Sequence, residues 1–397
     1  MGLKTVVLVI VLIVVLFVSI IATVEWWLDD APSNSEFYVG VEFAYSGNVS
    51  DLKALVDKVK DYTNLFVIGS IEVTFNQTAL DDSCDYIVDS GLNLIVFFTD
   101  SEVYNYTTVK NGQIYNSSIF DWMLAAEQKY GDKFLGVYRY DEPGGNQLDQ
   151  GASLLLNKTD VAAYGTYANA SSYYVNSLSI IINQYKLMSN AVFTADYGLY
   201  WFDYKIGYDA IFVEFGWNHS RPLHIALCRG AAETYNKDWG AIITWEYTEP
   251  PYIESPEELY DDMVLAYKTG AKYVIVFDYP KIGPYGILTE DPNSFDHFDA
   301  LKDFWTYIHN NPQDHGVIQG EAAYVLPQDY GFGFRNPTDN IWGLWSADNS
   351  SEKVWVDANT LIDQYGSRLN IVYNEPAVMD AVKSRYDKLY FWNETIT

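Results

Sequence analysis

The sequence predicts an α/β fold: a (β/α)8 barrel of the TIM type, a small α/β domain after it and one membrane-spanning helix before it. Three observations predict this. Between Phe37 and Pro312, short apolar, β-branched runs alternate with amphipathic helical patterns, and there are eight such runs. The runs are apolar at nearly every position, which marks parallel strands covered on both faces. The first run leads into V-E-F-A-Y-S-G-N-V-S, which lacks G-x-G-x-x-G, so a closed barrel is favoured over an open dinucleotide-binding sheet.

At the N-terminus, residues 5–24 (TVVLVIVLIVVLFVSIIATV) carry no charge. At about 1.5 Å per residue they reach across a hydrocarbon core of about 30 Å. Lys4 precedes the run, Glu25, Asp29 and Asp30 follow it, and Trp26 and Trp27 stand where an interfacial aromatic belt lies. Residues 1–27 therefore read as a signal anchor in the cell membrane, with the folded part outside. The rival is a cleaved leader that leaves a secreted protein, but its apolar region is usually about 7–15 residues. Nine N-x-[ST] tripeptides, at Asn48, Asn76, Asn105, Asn116, Asn157, Asn169, Asn218, Asn349 and Asn393, agree with an extracytoplasmic, glycosylated chain. Residues 28–36 form a polar linker.

The predicted barrel strands are 37–45, 65–73, 92–100, 134–142, 191–198, 208–217, 239–247 and 272–279. Helical patterns with apolar residues at i, i+3, i+4 and i+7 lie between them, as in NVSDLKALVDKVKDY and SPEELYDDMVLAYKTG. Residues 37–312 make the barrel and 313–397 the second domain. In the latter, EAAYVLPQ, NIWGLWS, LNIVYNE and KLYFWNE read as strands, and VDANTLIDQYG and AVMDAVKSRYD as helices.

Acidic residues outnumber basic ones 53 to 24, a formal net charge of −29, so a phosphate backbone is repelled and nucleic acid is an improbable partner. Aromatic residues are 17% of the chain, with 34 Tyr and 12 Trp, and aromatic faces stack on the apolar face of a pyranose. Cys84 and Cys228 fall in separate predicted helices and are read as free, buried thiols. The five histidines show no zinc spacing, with His219 and His224 read as surface residues, and no nucleophile elbow or P-loop occurs. No metal or cofactor is expected.

In a parallel barrel the chemistry sits at the carboxyl ends of the strands. Those ends carry Glu42, Asp141, Glu142, Tyr197, Glu214, Trp217, Trp245, Glu246, Tyr247, Asp278 and Tyr279, with Trp201 just beyond strand five. Carboxylates bind hydroxyl groups and rings bind sugar faces, so a carbohydrate is the expected partner. Alternation from Tyr138 and Tyr140 aims Glu142 over the barrel mouth, and alternation from Ile242 and Thr244 aims Glu246 there too.

The segment G-V-Y-R-Y-D-E-P, ending strand four, resembles the N-E-P motif of the clan A glycoside hydrolases, and I-I-T-W-E-Y supplies a glutamate at the end of strand seven. The resemblance covers residues 37–312. It implies that Glu142 is the acid/base, that Glu246 is the nucleophile, and that hydrolysis retains configuration. Asp141 stands where the clan has Asn, and Asp278 and Tyr279 where it commonly has Trp. These departures leave a second expectation, a catalytically silent carbohydrate-binding or cell-envelope protein on the same barrel. Asp141, Trp217, Trp245, Tyr247, Asp278, Tyr279, Glu42, Tyr197, Trp201 and Glu214 are the expected sugar contacts. Y-N-E-P at 373–376 is a closer string match, but it lies outside the barrel and reads as a strand-to-helix turn.

Overall fold

The computed structural model describes residues 36–44, 46–99, 106–110, 113–149, 156, 164–248, 251–278 and 296–396, with backbone alone for 106–110, 113–117, 248, 251 and 278. The expected membrane span, nearly all of the linker, and Tyr279 lie outside the described residues. Among the described residues no helix is long and apolar enough to cross a membrane.

Eight parallel strands close into a barrel in chain order: β1 (Tyr38–Phe43), β2 (Leu65–Ile68), β3 (Asn93–Phe98), β4 (Phe134–Asp141), β5 (Val192–Asp196), β6 (Ala210–Phe215), β7 (Asp238–Thr244) and β8 (Tyr273–Asp278). Closure is by β1 against β8, with Tyr38 opposite Tyr273 and Phe43 opposite Asp278. Each strand is shorter than its apolar run. The second run, read as a strand to residue 73, ends at Ile68, because Ser70 caps a short helix, Ile71–Thr74, by accepting from Val73 N.

The helices are built by local signals. α1 (Val49–Val59) is capped by Asn48, and α2 (Gln77–Asp89) by Asn76. α3 (Ile119–Tyr130) starts with a capping box of Ser118 and Asp121. α4 (Tyr167–Lys186), α5 (Tyr200–Ile206) and α6 (Arg221–Tyr235) follow β4, β5 and β6. α7 (Pro256–Lys268) has a second capping box, Ser255 with Glu258, and α8 (His297–Asn310) is capped by Asp296. Each helix turns an apolar stripe to the barrel; for α1 it is Leu52, Leu55, Val56 and Val59. Each such side chain contributes about 1.5–3 kcal/mol on leaving water.

The barrel interior is filled. Tyr38, Phe97, Tyr138, Phe193, Phe212, Ile242 and Tyr273 interlock there, with Tyr38 stacked on Tyr273 at 5.1 Å and Phe193 on Phe212 at 5.5 Å. At the carboxyl end of the barrel a cavity opens above Phe97, Tyr138 and Ile242.

The chain from Tyr38 to Thr397 is one compact unit. After the barrel, β9 (Ala322–Leu326) is the centre of a three-stranded parallel sheet between β10 (Leu369–Tyr373) and β11 (Lys388–Phe391). α9 (Ser351–Tyr365) and α10 (Met379–Arg385) complete this part. NIWGLWS is not a strand: Trp342 and Gly343 take φ of 57° and 64°, and Ile341 makes only isolated bridges. Its Trp342 ring is buried instead against Phe202 and Tyr174, and its indole N–H donates to Asp329 O. Arg229 of α6, 2% exposed, donates to Asn370 Oδ1 and to the carbonyls of Ser367, Leu369 and Ile318. The Y-N-E-P glutamate, Glu375, accepts from Lys205 (2.8 Å), Trp201 (3.1 Å) and Tyr235 (3.0 Å). Its charge braces the second sheet against α5 and α6. Cys84 and Cys228 are free and buried. His224, read as a surface residue, is buried and hydrogen-bonded to Tyr200 OH at 2.8 Å.

Candidate active site

The end of β4 breaks strand alternation, and this builds the site. The β4–β5 register shifts between Tyr138 and Asp141, and Tyr140 and Glu142 take positive φ of 60° and 55°. For non-glycine residues such a backbone costs on the order of 1–3 kcal/mol and persists only where surrounding contacts hold it. As a result Tyr138, Arg139, Tyr140, Asp141 and Glu142, five consecutive residues, all line one cavity of about 890 Å³ at the barrel mouth. A regular strand would present only alternate residues.

What holds this turn is Asp196 at the end of β5. Its buried carboxylate accepts from the N–H groups of Gly144 (2.6 Å), Gly145 (2.8 Å), Tyr197 (2.7 Å) and Gly198 (3.0 Å). Gly145 must be glycine, since a Cβ there would stand 2.2 Å from the Tyr197 ring. Burial pushes the Asp196 carboxyl up to about 6, against those four donors. Behind it Asp203 is held protonated by burial and by the Asp196 charge, and it hydrogen-bonds to Asp196 while accepting from Tyr174 OH at 2.8 Å. The chain Tyr174–Asp203–Asp196 thus anchors the peptide N–H groups that follow Glu142.

Glu142 and Glu214 meet across the cavity. Glu214 is on β6, and the two side chains hydrogen-bond to each other. Burial pushes Glu142 up to about 8, with the charges of Asp141 and Asp196 adding to the effect. Burial and the Glu142 charge raise Glu214 as well. Two carboxyl groups in contact cannot both ionise readily, so the pair holds a proton at neutral pH. Asp141, more exposed than its neighbours, accepts a hydrogen bond from Tyr138 OH.

The other expected residues separate into two groups. Glu42, Asp141, Tyr197, Trp217 and Tyr247 line the same cavity as Glu142 and Glu214. Trp217 is held from behind by Arg221, whose guanidinium donates to the carbonyls of Gly216 (2.9 Å), Trp217 (3.2 Å) and His219 (2.9 Å) and pairs with Asp262 at 2.9 Å. Its ring stacks on Tyr252 at 5.3 Å.

Glu246, Trp245 and Trp201 do not line the cavity. The barrel strand stops at Thr244, and Glu246 opens a separate hairpin in which Glu246–Thr248 pairs with Pro251–Ile253. Alternation therefore does not carry from Thr244 to Glu246, whose side chain is 3% exposed. Trp245 is buried against His297 at 4.1 Å, and Trp201 serves the Glu375 brace. Asp278 is described by its backbone alone, paired with Phe43. Thr99 and Asp149 also line the cavity; neither stands in a strand-end carboxylate pattern. Asp149 accepts from Tyr197 OH at 2.6 Å and pairs with Arg335, which reaches the rim from the segment after β9. Among the described residues no group of three or more His, Cys, Asp or Glu is placed to hold a metal ion.

No protein-family model matches the sequence, and comparison with curated proteins returns no match. Solved structures with a similar fold include a spore coat polysaccharide biosynthesis protein from Bacillus subtilis, with a TM-score of 0.38 and 11% identity over 70% of this chain and 69% of that one. A structure of the pneumococcal virulence factor StrH, concerned with N-glycan recognition and hydrolysis, has a TM-score of 0.41 and 9% identity over 69% and 84%. The truncated 3-deoxy-D-arabino-heptulosonate 7-phosphate synthase of Thermotoga maritima has 0.36 and 9% over 72% and 92%. At this distance they say nothing of activity.

Proposed function

We propose that the chain is a glycoside hydrolase, anchored in the cell membrane by residues 5–24 with its barrel outside, in which Glu142 is the proton donor and Glu214 the carboxylate facing it. One observation carries the reading: a half-buried glutamate, its pKa raised to about 8, in contact with a second glutamate in an aromatic-walled cavity at the strand ends. At neutral pH such a group keeps its proton and hands it to a leaving oxygen. Glu214 lies in the cavity that Glu246 does not line, so the facing role falls to Glu214.

A glycosidic centre needs room between its carboxyl groups, about 5–5.5 Å for attack by a carboxylate and about 6.5–9.5 Å for attack by water. Glu142 and Glu214 are in direct hydrogen-bonding contact, so they have to part before a glycosidic oxygen fits between them. Substrate entry breaks that contact: within the pair the Glu142 charge raises Glu214, so the shared proton passes from Glu214 to Glu142 as the two part, which places it beside the glycosidic oxygen and leaves Glu214 as base or nucleophile. Asp141, fixed by Tyr138 OH, accepts a sugar hydroxyl, and Trp217 offers a face to the ring.

The same hydrogen bond favours the second reading, a carbohydrate-binding barrel without turnover. Hydrolysis of a panel of aryl glycosides and oligosaccharides by the full chain decides between them, with Glu142→Gln and Glu214→Gln alongside. Cleavage by the parent and loss in both variants supports the enzyme. Binding without cleavage selects the silent barrel. Cleavage unchanged in both variants refutes the assignment of these residues.

A further inference from the structure

We propose that the cavity takes an amino sugar with a free, protonated amine, in preference to a neutral or N-acylated sugar. The inference rests on the carbohydrate reading of this site and adds the substituent it recognises.

It starts from Glu42 on β1. This side chain is 5% exposed and lines the cavity, and among the described residues no donor reaches its carboxyl group. The space it occupies is reserved for it: a Cβ at Gly69 would stand 1.9 Å from Glu42 Oε1. An anion buried without a donor is expensive, so the site is built for something that brings donors with it.

The surrounding charge says what that is. The Asp141 charge acts on Glu42, Tyr138 OH donates to Asp141 and feels both carboxylates, and Glu142 and Glu214 line the same cavity. Glu72 and Asp149 add carboxylates at the rim. Among the described lining residues Arg139 supplies the one cation. Its guanidinium is spent on ring faces, 3.8 Å from the centroid of Tyr140 and 5.4 Å from that of Tyr185. The rim cation Arg335 already pairs with Asp149 and Asp339. The negative charge is therefore met by protons in the empty protein. Glu42 is raised by burial and by Asp141, and Glu142 and Glu214 are raised as well.

An ammonium group replaces those protons with three N–H donors and a positive charge in one small head. The faces of Trp217, Tyr197 and Tyr247 suit a cation as well as a sugar ring. A hydroxyl donates to one carboxylate but leaves its charge standing, and an acylated nitrogen carries no charge. Binding of the amine lowers the carboxyl pKa values, so protons leave the protein as the ligand enters. Affinity then rises with pH until the ligand's own amine loses its proton.

The test is calorimetric titration of the full chain at about pH 6, in two buffers of different ionisation enthalpy. The probes are a glucosamine tetramer, an N-acetylglucosamine tetramer, a glucose tetramer and spermidine. The expected result is glucosamine tetramer binding at least about thirtyfold tighter than either neutral tetramer, with net proton release. Glu42→Gln, which replaces a neutral acid by a neutral amide of the same shape, should weaken the glucosamine tetramer about tenfold. Equal binding of all three tetramers, or binding without proton release, overturns the amine inference and leaves the carbohydrate reading standing. Spermidine binding without any sugar binding overturns the carbohydrate reading and the proposal with it. No binding by any probe overturns both.

Discussion

Replacing Asp203 by Asn should make the protein more stable at neutral pH, against the usual result of altering a buried polar residue. Asp203 is 0% exposed and keeps its proton in the fold because burial and the Asp196 charge oppose ionisation. In the unfolded chain it ionises at the ordinary aspartate value of about 3.9. A carboxyl raised in the folded state contributes its full stability below the unfolded value and loses it as pH climbs towards the folded value. Across that window the native state holds one proton more than the unfolded state, so stability falls by about 1.4 kcal/mol per pH unit. Asparagine cannot ionise. Its amide can donate to Asp196 as the acid does, and its carbonyl can accept from Tyr174 OH. Asp203→Asn should match the parent near pH 4 and exceed it increasingly above, by about 1.4 kcal/mol for each pH unit over which the buried acid keeps its proton. Urea denaturation followed by tryptophan fluorescence at pH 5, 6, 7 and 8 measures both curves. Parallel curves would refute the buried proton. Asp196→Asn is the contrast: its one oxygen can take the place of Oδ1, where three of the donors converge, but its amide N–H then meets the fourth, Gly144 N–H, head on, and the charge is gone. It should lose roughly 3 kcal/mol at pH 7 and 8, where Asp196 is ionised, at charge-assisted bond values of about 1.5–3 kcal/mol each.

Three further outcomes follow from the same geometry. Since Glu142 must be protonated to act, and its pKa is about 8, kcat/KM on a cleaved glycoside should fall above about pH 8, and Glu142→Gln should cost about 10²–10⁴ in rate; a profile still rising at pH 9 would show another acid at work. Glu375→Gln should lower stability by about 1 kcal/mol through its half-buried pair with Lys205 and leave catalysis intact, so a collapse of activity with the fold preserved would move the chemistry to the second sheet. Cys84 and Cys228 are buried, with thiol pKa values raised by burial, so a thiol reagent should label neither in the native chain and both in denaturant; rapid native labelling would place one at the surface.

The barrel was legible because its physics is periodic. Seven strands lie within their apolar runs and β7 starts one residue before its own, and caps such as Asn76, Ser118 and Ser255 start helices where the sequence changes period. The ends of the runs were less legible, since an apolar run does not say where pairing stops. Ser70 ended β2 early by capping a helix, and Trp342 left the extended conformation to bury its ring. The candidate site depends on just such endings. Most of its residues are visible as strand-end carboxylates and aromatics: Glu42, Asp141, Glu142, Tyr197, Glu214 and Trp217 line the cavity.

What the pattern of residues could not convey is which two glutamates meet. Alternation gives the same parity to Glu142 and Glu246, and both ends then break it. At β4 the chain stays on the barrel and bulges, so a positive φ at Tyr140 and another at Glu142 turn consecutive side chains inward. At β7 the barrel strand stops at Thr244, and the hairpin that follows puts Tyr247 on the cavity wall but not Glu246. The difference lies in what receives each turn. Asp196 offers a buried carboxylate to the N–H groups after Glu142, which offsets the backbone strain there. Beyond β7, Trp245 is buried against His297, and its carbonyl accepts from Glu254 N, which closes the base of the hairpin that carries Glu246. Each outcome is decided by a partner far away in sequence, 52 residues for Gly144 with Asp196. Local spacing carries no trace of such a partner, so the meeting of Glu142 with Glu214 is a tertiary property even where each member is legible alone.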